Sequence, residues 1–144
     1  MIKKNIMAMA TLDTKGESIG LLCEHIRSRG HNPIILDLSM MKEPLIEPDI
    51  PAAEVAVVGG GTAADTRGET GERNKRIEIL QRGAIKIIGQ MVAEGKIDGL
   101  VGLGGSTNTL MASNVSKSLP FGFPKVILSS TAGLGYDYFG RSDI

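Results

Sequence analysis

Asn5-Ile6-Met7-Ala8-Met9-Ala10-Thr11-Leu12-Asp13-Thr14-Lys15-Gly16 is the stretch on which the fold turns. Its first half is a short apolar run without polar alternation, the pattern of a strand buried on both faces. Its second half sets a carboxylate, a hydroxyl, an ammonium and a glycine in four successive positions, ahead of an amphipathic segment. At a strand-to-helix turn such a set can hold an anion. The first backbone N–H groups of a helix lack intrahelical partners, and the helix dipole favours negative charge there. Lys15 would add a full positive charge. The same residues also suit a plain helix start, with Asp13 or Thr14 as the cap. On this stretch alone both readings stay open.

From Glu17 to Arg29, Ile19, Leu22, Cys23 and Ile26 form one helical stripe, and Gly30 supplies the stop. Pro33 to Leu38 reads as a second buried strand, its proline tolerated at the strand start. Ser39 to Pro51 carries three prolines and reads as a surface loop. Ala52 to Val58 suits either a short helix, started by Asp49 and Pro51, or a strand ending at the three glycines, and the helix is the preferred reading. Gly59 to Asn74 is polar and holds five glycines, which suits either a mobile functional loop or a simple crossing. Lys75 to Gly95 is the longest helical pattern, with Ile77, Leu80, Ala84, Ile87, Ile88, Met91 and Val92 on one face. Asp98 to Leu103 is strand three, and Gly104-Gly105-Ser106 is its turn. Thr107 to Ser118 is a further amphipathic helix, with Leu110, Met111 and Val115 inward. Lys125 to Ser129 is strand four, followed by a small-residue turn from Ser130 to Gly140.

Strands alternating with helices imply a parallel sheet covered on both faces. The expected fold is a three-layer α/β sandwich with a doubly wound, mostly parallel sheet, Rossmann- or flavodoxin-like, in a single domain over residues 1–144. Four strands make a small sheet for this architecture. Arg141-Ser142-Asp143-Ile144 reads as the approach to another element, so a continuation or a partner that completes the domain is expected.

Composition narrows the function. Sixteen basic residues balance sixteen acidic ones, which leaves no positive excess for nucleic acid or an acidic membrane. Aromatics are 3%, too few for stacking single-stranded bases. Cys23 has no partner cysteine and sits on the apolar stripe, as a core residue would. His25 and His31 lack companions in metal-ligand spacing. Lys3-Lys4 precedes an apolar run too short for a secretory leader, and nothing reaches membrane-spanning length, so a cytoplasmic protein is expected.

In doubly wound sheets, ligands bind at the carboxyl ends of the strands, where strand order reverses. Three turns rich in Gly, Ser and Thr are expected to converge there. They offer Thr11, Asp13, Thr14, Lys15 and Gly16; then Gly104, Gly105, Ser106, Thr107 and Asn108; then Thr131, Ala132 and Gly133. Asp37 ends strand two, where a Rossmann-type protein places its ribose acceptor, although position alone favours a cap or loop hydrogen bond. Gly102 to Thr107 approaches the dinucleotide fingerprint, but no Asp or Glu falls between Asp98 and Asp137. A nicotinamide or flavin dinucleotide is therefore discounted on that turn, and a phosphate cradle or a tight capped turn remains. No Walker-type glycine-lysine loop, nucleophile elbow or His-Glu-x-x-His occurs.

Three functions fit. One is a module for a nucleotide or phosphorylated metabolite, its phosphates held by Lys15 and the N–H groups after Gly104, with Asp13 or Asp37 on ribose hydroxyls or a magnesium-bound water. Another is part of an enzyme on a small phosphorylated or carboxylated substrate, with Asp13 and Lys15 in the chemistry. The third is a protein-interaction module, for which an open sheet edge invites a homo-oligomer or a C-terminal partner domain.

Ala10-Thr11-Leu12-Asp13-Thr14-Lys15-Gly16-Glu17 resembles the opening signature of the ATP-binding domain of the tomato mosaic virus resistance protein and its bacterial relatives, an uncharacterised protein family. The resemblance continues through Glu47-Pro48-Asp49-Ile50, Arg82-Gly83-Ala84, Gly95 to Gly99, Gly102 to Ser106, Leu119 to Lys125, Ser130-Thr131-Ala132 and Gly140 to Ile144. It spans essentially this whole chain and the first part of the family's usual length, which runs on to a second α/β domain. It implies a cytoplasmic nucleotide-binding α/β domain with ATP as ligand, and it implies no particular reaction. Thr107-Asn108-Thr109 stands where the family continues Gly-Gly-Thr, so side chains occupy room that the family leaves open.

Overall fold

The computed structural model describes residues 1–68, 72–134 and 143–144. Four strands, β1 (Asn5–Ala10), β2 (Asn32–Asp37), β3 (Gly99–Gly104) and β4 (Lys125–Ser129), form one sheet in the order β2-β1-β3-β4. Every pairing is parallel, with Ala8 level with Ile35 and Val101, and Val101 level with Val126. The helices are α1 (Leu12–Ser28), α2 (Ala52–Val58), α3 (Arg73–Ala93) and α4 (Ser106–Ser118). This is the three-layer, Rossmann/flavodoxin-like architecture that the alternating pattern implies.

Side-chain alternation along the strands sorts the layers. Ala8, Ala10, Ile35 and Val101 face α1, against Leu12, Ile19 and Cys23. The two small alanines let α1 lie close to the sheet. Met7, Met9, Leu36 and Leu100 face the other way, into the larger core with α2, α3 and α4. Burying each large side chain of that core contributes about 1.5–3 kcal/mol. Where α2 crosses α3 the backbones nearly touch: a Cβ on Gly83 would lie 1.9 Å from the Val55 carbonyl oxygen.

Several boundaries differ from the sequence expectation. α1 begins at Leu12, five positions before its apolar stripe becomes visible at Glu17. Its first turn is polar at Asp13, Thr14 and Lys15, which hides it, yet Leu12 and Gly16 are already buried on the inward face. The turn after β1 therefore shrinks to Thr11. α3 likewise starts at Arg73, inside the segment read as loop. That segment also holds a 3₁₀ turn, Ala63–Thr66, closed by the Asp65 carboxylate, which accepts the Thr62 N–H (2.6 Å) and hydroxyl (2.9 Å). The turn expected from Ser130 to Gly140 contains a 3₁₀ turn at Ala132–Leu134, and its remainder lies outside the described residues.

The sheet is not covered on both faces throughout. Val126 and Leu128 of β4 point to the α1 side and are 54% and 45% exposed, because α1 lies over β1 and its neighbours rather than over β4. On the opposite side Ile127 packs into the larger core. At the start of β4 the Lys125 side chain is fully buried, with its ammonium bonded to Asp143 (2.6 Å) and the Pro120 carbonyl (3.0 Å). No helix among the described residues is long and apolar enough to cross a membrane.

Candidate functional site

β1 and β3 are neighbours, but the chain leaves β1 for β2 on one side and β3 for β4 on the other. Between their carboxyl ends lies the switch point, and a cleft of about 230 Å³ opens there. Thr11, Asp13, Thr14 and Lys15 form one wall. Gly105, Ser106, Thr107 and Asn108 form the opposite one, with Met40 and Met41 from the loop after β2 and Arg73 from α3 closing the sides.

The two walls differ in what they can offer an anion. At α1 every early N–H is spent. Leu12 donates to Asp37 Oδ1 (3.2 Å), Asp13 donates to Ser39 Oγ (2.9 Å), and Thr14 and Lys15 both donate to the Thr11 carbonyl (3.2 and 2.8 Å). The caps come from the end of β2, not from Asp13 or Thr14. At α4 the first closing bond is from Thr109 N–H to the Gly105 carbonyl (2.9 Å). The N–H groups of Ser106, Thr107 and Asn108 make no hydrogen bond among the described residues, so this helix start keeps its donors free. α4 also carries about half a positive charge at that end.

Lys15 and Arg73 make no ion pair among the described residues. Arg73 reaches across the mouth of the cleft and donates from Nη2 to Thr107 Oγ1 (2.8 Å). The single carboxylate in the walls among the described residues, Asp13, is engaged by backbone: its Oδ2 accepts from Met40 (3.4 Å), Met41 (3.1 Å) and Lys42 (3.3 Å) N–H groups. It ties α1 to the loop after β2. Two cations and one engaged carboxylate leave the cleft formally positive.

Asn108 is 2% exposed and plugs the gap between the strand ends. Its Nδ2 donates to the carbonyls of Leu103 (2.6 Å) and Met9 (3.5 Å), which fixes the orientation of the amide. Its Oδ1 is then a buried acceptor without a partner. Gly104 makes room for this side chain, since a Cβ there would lie 2.6 Å from Asn108 Cβ.

The remaining sequence candidates sit elsewhere. Gly16 packs beneath the loop after β2, where a Cβ would lie 2.7 Å from Leu45 Cβ. Asp37 lines a separate hollow of about 240 Å³ with Ser39, Glu43, Glu47 and Arg67. Its Oδ1 accepts from Leu12 N–H, from Ser39 N–H (2.8 Å) and from the Ser39 hydroxyl. Burial outweighs these bonds and raises its pKa above the usual carboxylate value. Thr131, Ala132 and Gly133 do not line the cleft. Thr131 instead joins a hydroxyl chain with Ser129 (3.2 Å) and, beyond it, Thr109 (2.6 Å). No cluster of three His, Cys, Asp or Glu that could hold a metal occurs among the described residues.

Arg73 is the residue that sequence reasoning missed. It fell inside a stretch read as loop, and only the approach of α3 to α4 brings it to the cleft. Its sole sequence signal was a basic residue at the edge of a helical pattern.

Comparison with known proteins finds that the family profile described as "Uncharacterised protein family (UPF0261) N-terminal domain" matches residues 4–144. A UPF0261 protein of Clostridium tetani is 34% identical over 144 residues, 99% of this chain and 35% of that protein. A UPF0261 protein of Brucella suis is 29% identical, over 88% of this chain and 30% of its own length. The ToMV resistance protein Tm-1(GCR237) of Solanum lycopersicum is 31% identical, over 96% of this chain and 20% of that protein. The chain thus spans about a third or less of the length of these relatives.

Proposed function

We propose, from the premise that this chain belongs to the uncharacterised protein family UPF0261 as its N-terminal domain, that it binds a nucleotide through the phosphates, with ATP as the ligand. One observation carries the reading. At the switch point of the sheet, Lys15, Arg73 and the start of α4, with three free N–H groups, line one cleft, and neither cation makes an ion pair among the described residues. Backbone N–H groups at a helix start and side-chain cations are what phosphate oxygens require. Magnesium, if it accompanies ATP, would ride on the phosphates, with Asp13 the one carboxylate in the cleft walls among the described residues.

Binding is favoured over catalysis by the state of Asp13. Its Oδ2 accepts from three amides, which gives this carboxylate a structural task in holding the loop after β2. Calorimetry of the chain with ATP and magnesium tests the reading. Saturable heat at a single site supports it, and no heat at millimolar ATP from a folded chain overturns it.

A further inference from the structure

We infer that the cleft recognises a polyphosphate tail alone and does not read the base or the ribose, with Arg73 as the clamp on the tail. This inference rests on the nucleotide reading above. Pockets that bury a drug-sized ligand measure about 300–1,000 Å³. This cleft, at about 230 Å³ among the described residues, falls below that range and is of a size for phosphates.

The polar inventory of the walls agrees. Lys15, Arg73 and the N–H groups of Ser106, Thr107 and Asn108 are all donors suited to phosphate oxygens. Among the described residues, little is left for a base edge beyond the hydroxyls of Thr11, Thr14 and Ser106: the Asn108 amide Nδ2 is spent on strand-end carbonyls, and Thr107 Oγ1 is taken by Arg73. Met40 and Met41 offer apolar contact but no side-chain hydrogen bonds, and Met41 is 56% exposed at the margin.

The ribose is not read either. The acid at the end of β2 that a Rossmann-type site turns to the sugar is here Asp37, and it caps α1 instead. It also lines a different hollow from the one that holds Lys15 and Arg73. A nucleoside attached to the tail would therefore project past Met41 into solvent or toward whatever else the longer relatives carry.

The test is a set of titrations of the chain in magnesium buffer with ATP, GTP, inorganic tripolyphosphate and adenosine. The inference expects dissociation constants for ATP, GTP and tripolyphosphate within about threefold of one another, and no binding of adenosine at millimolar concentration. Arg73→Ala, at an exposed position, weakens all three tail ligands by a common factor of about ten, with an unchanged melting temperature, and Arg73→Lys recovers part of the loss. ATP at least tenfold tighter than GTP and tripolyphosphate, or measurable adenosine binding, overturns the inference while leaving the nucleotide reading intact. No binding by any of the four overturns both.

Discussion

The carboxylate of Asp37 accepts the backbone N–H of Leu12 at 3.2 Å, across 25 positions of sequence. The end of β2 thereby caps the helix that follows β1, and Ser39 completes the cap at Asp13. This arrangement engages the first N–H groups of α1 and leaves α4 as the helix start at the cleft whose backbone donors are free among the described residues.

Removing that cap has a defined cost. Asp37→Ala strips the acceptor from two buried backbone N–H groups and should destabilise the chain by about 1–3 kcal/mol in urea unfolding. Asp37→Asn keeps a side-chain oxygen in place and should cost less.

The same residue gives a pH dependence with a definite sign. Burial raises the folded pKa of Asp37 above its unfolded value, so the folded chain holds the proton more tightly. Its contribution to stability is therefore full below the unfolded carboxylate pKa and is lost as pH rises through the raised folded value. Urea midpoints measured across the acid range should show this component in the native chain and not in Asp37→Asn. A component of the opposite sign, removed by the substitution, would contradict the assignment.

Much of this architecture is written locally. The limits of β1 and β4 follow from apolar runs bounded by Thr11 and by Pro124 and Ser130. The helix from Ala52 to Val58 is one of two readings that its sequence allows, since Pro51 suits a helix start and the apolar run before three glycines suits a strand end. The start of α1 is not local. Leu12 is the only large apolar residue of its first turn, and the groups that cap it, Asp37 and Ser39, lie a strand away. The site divides in the same way. Gly105 to Asn108 announce a strand-to-helix turn by composition, and Lys15 lies beside them as expected. Asp37 looks like a ribose acceptor by position because sequence cannot show which side of the loop after β2 its carboxyl faces. Arg73 enters only through the approach of α3 to α4.

Asp13 should behave as a latch rather than as a base. Asp13→Ala removes the acceptor for the Met40, Met41 and Lys42 amides and should speed hydrogen exchange at those positions, with a loss of stability of about 1 kcal/mol. Unchanged exchange at Met41 and Lys42 would show that the loop is held by other contacts.

The α2–α3 crossing should tolerate no added side chain. Gly83→Ala would drive a Cβ into the Val55 carbonyl, and an overpacked core of this kind costs about 1–3 kcal/mol or more. Thermal unfolding should place this variant well below Gly20→Ala, where a Cβ meets nothing within 4 Å.

The exposed side of β4 should accept charge that its buried side rejects. Leu128→Lys should leave stability within about 0.5 kcal/mol of the native chain. Ile127→Lys, which sends an ammonium into the larger core, should cost several times as much. Equal effects of the two would mean that the α1 side of β4 is covered in solution.

The most direct test of the phosphate cleft is an amide NMR titration of the chain with ATP in magnesium buffer. The N–H resonances of Ser106, Thr107 and Asn108 should shift in a saturable manner, while those of Leu12 and Asp13, held by Asp37 and Ser39, move little. No shift at the start of α4 with millimolar ATP, or shifts confined to the hollow beside Asp37, would contradict the account.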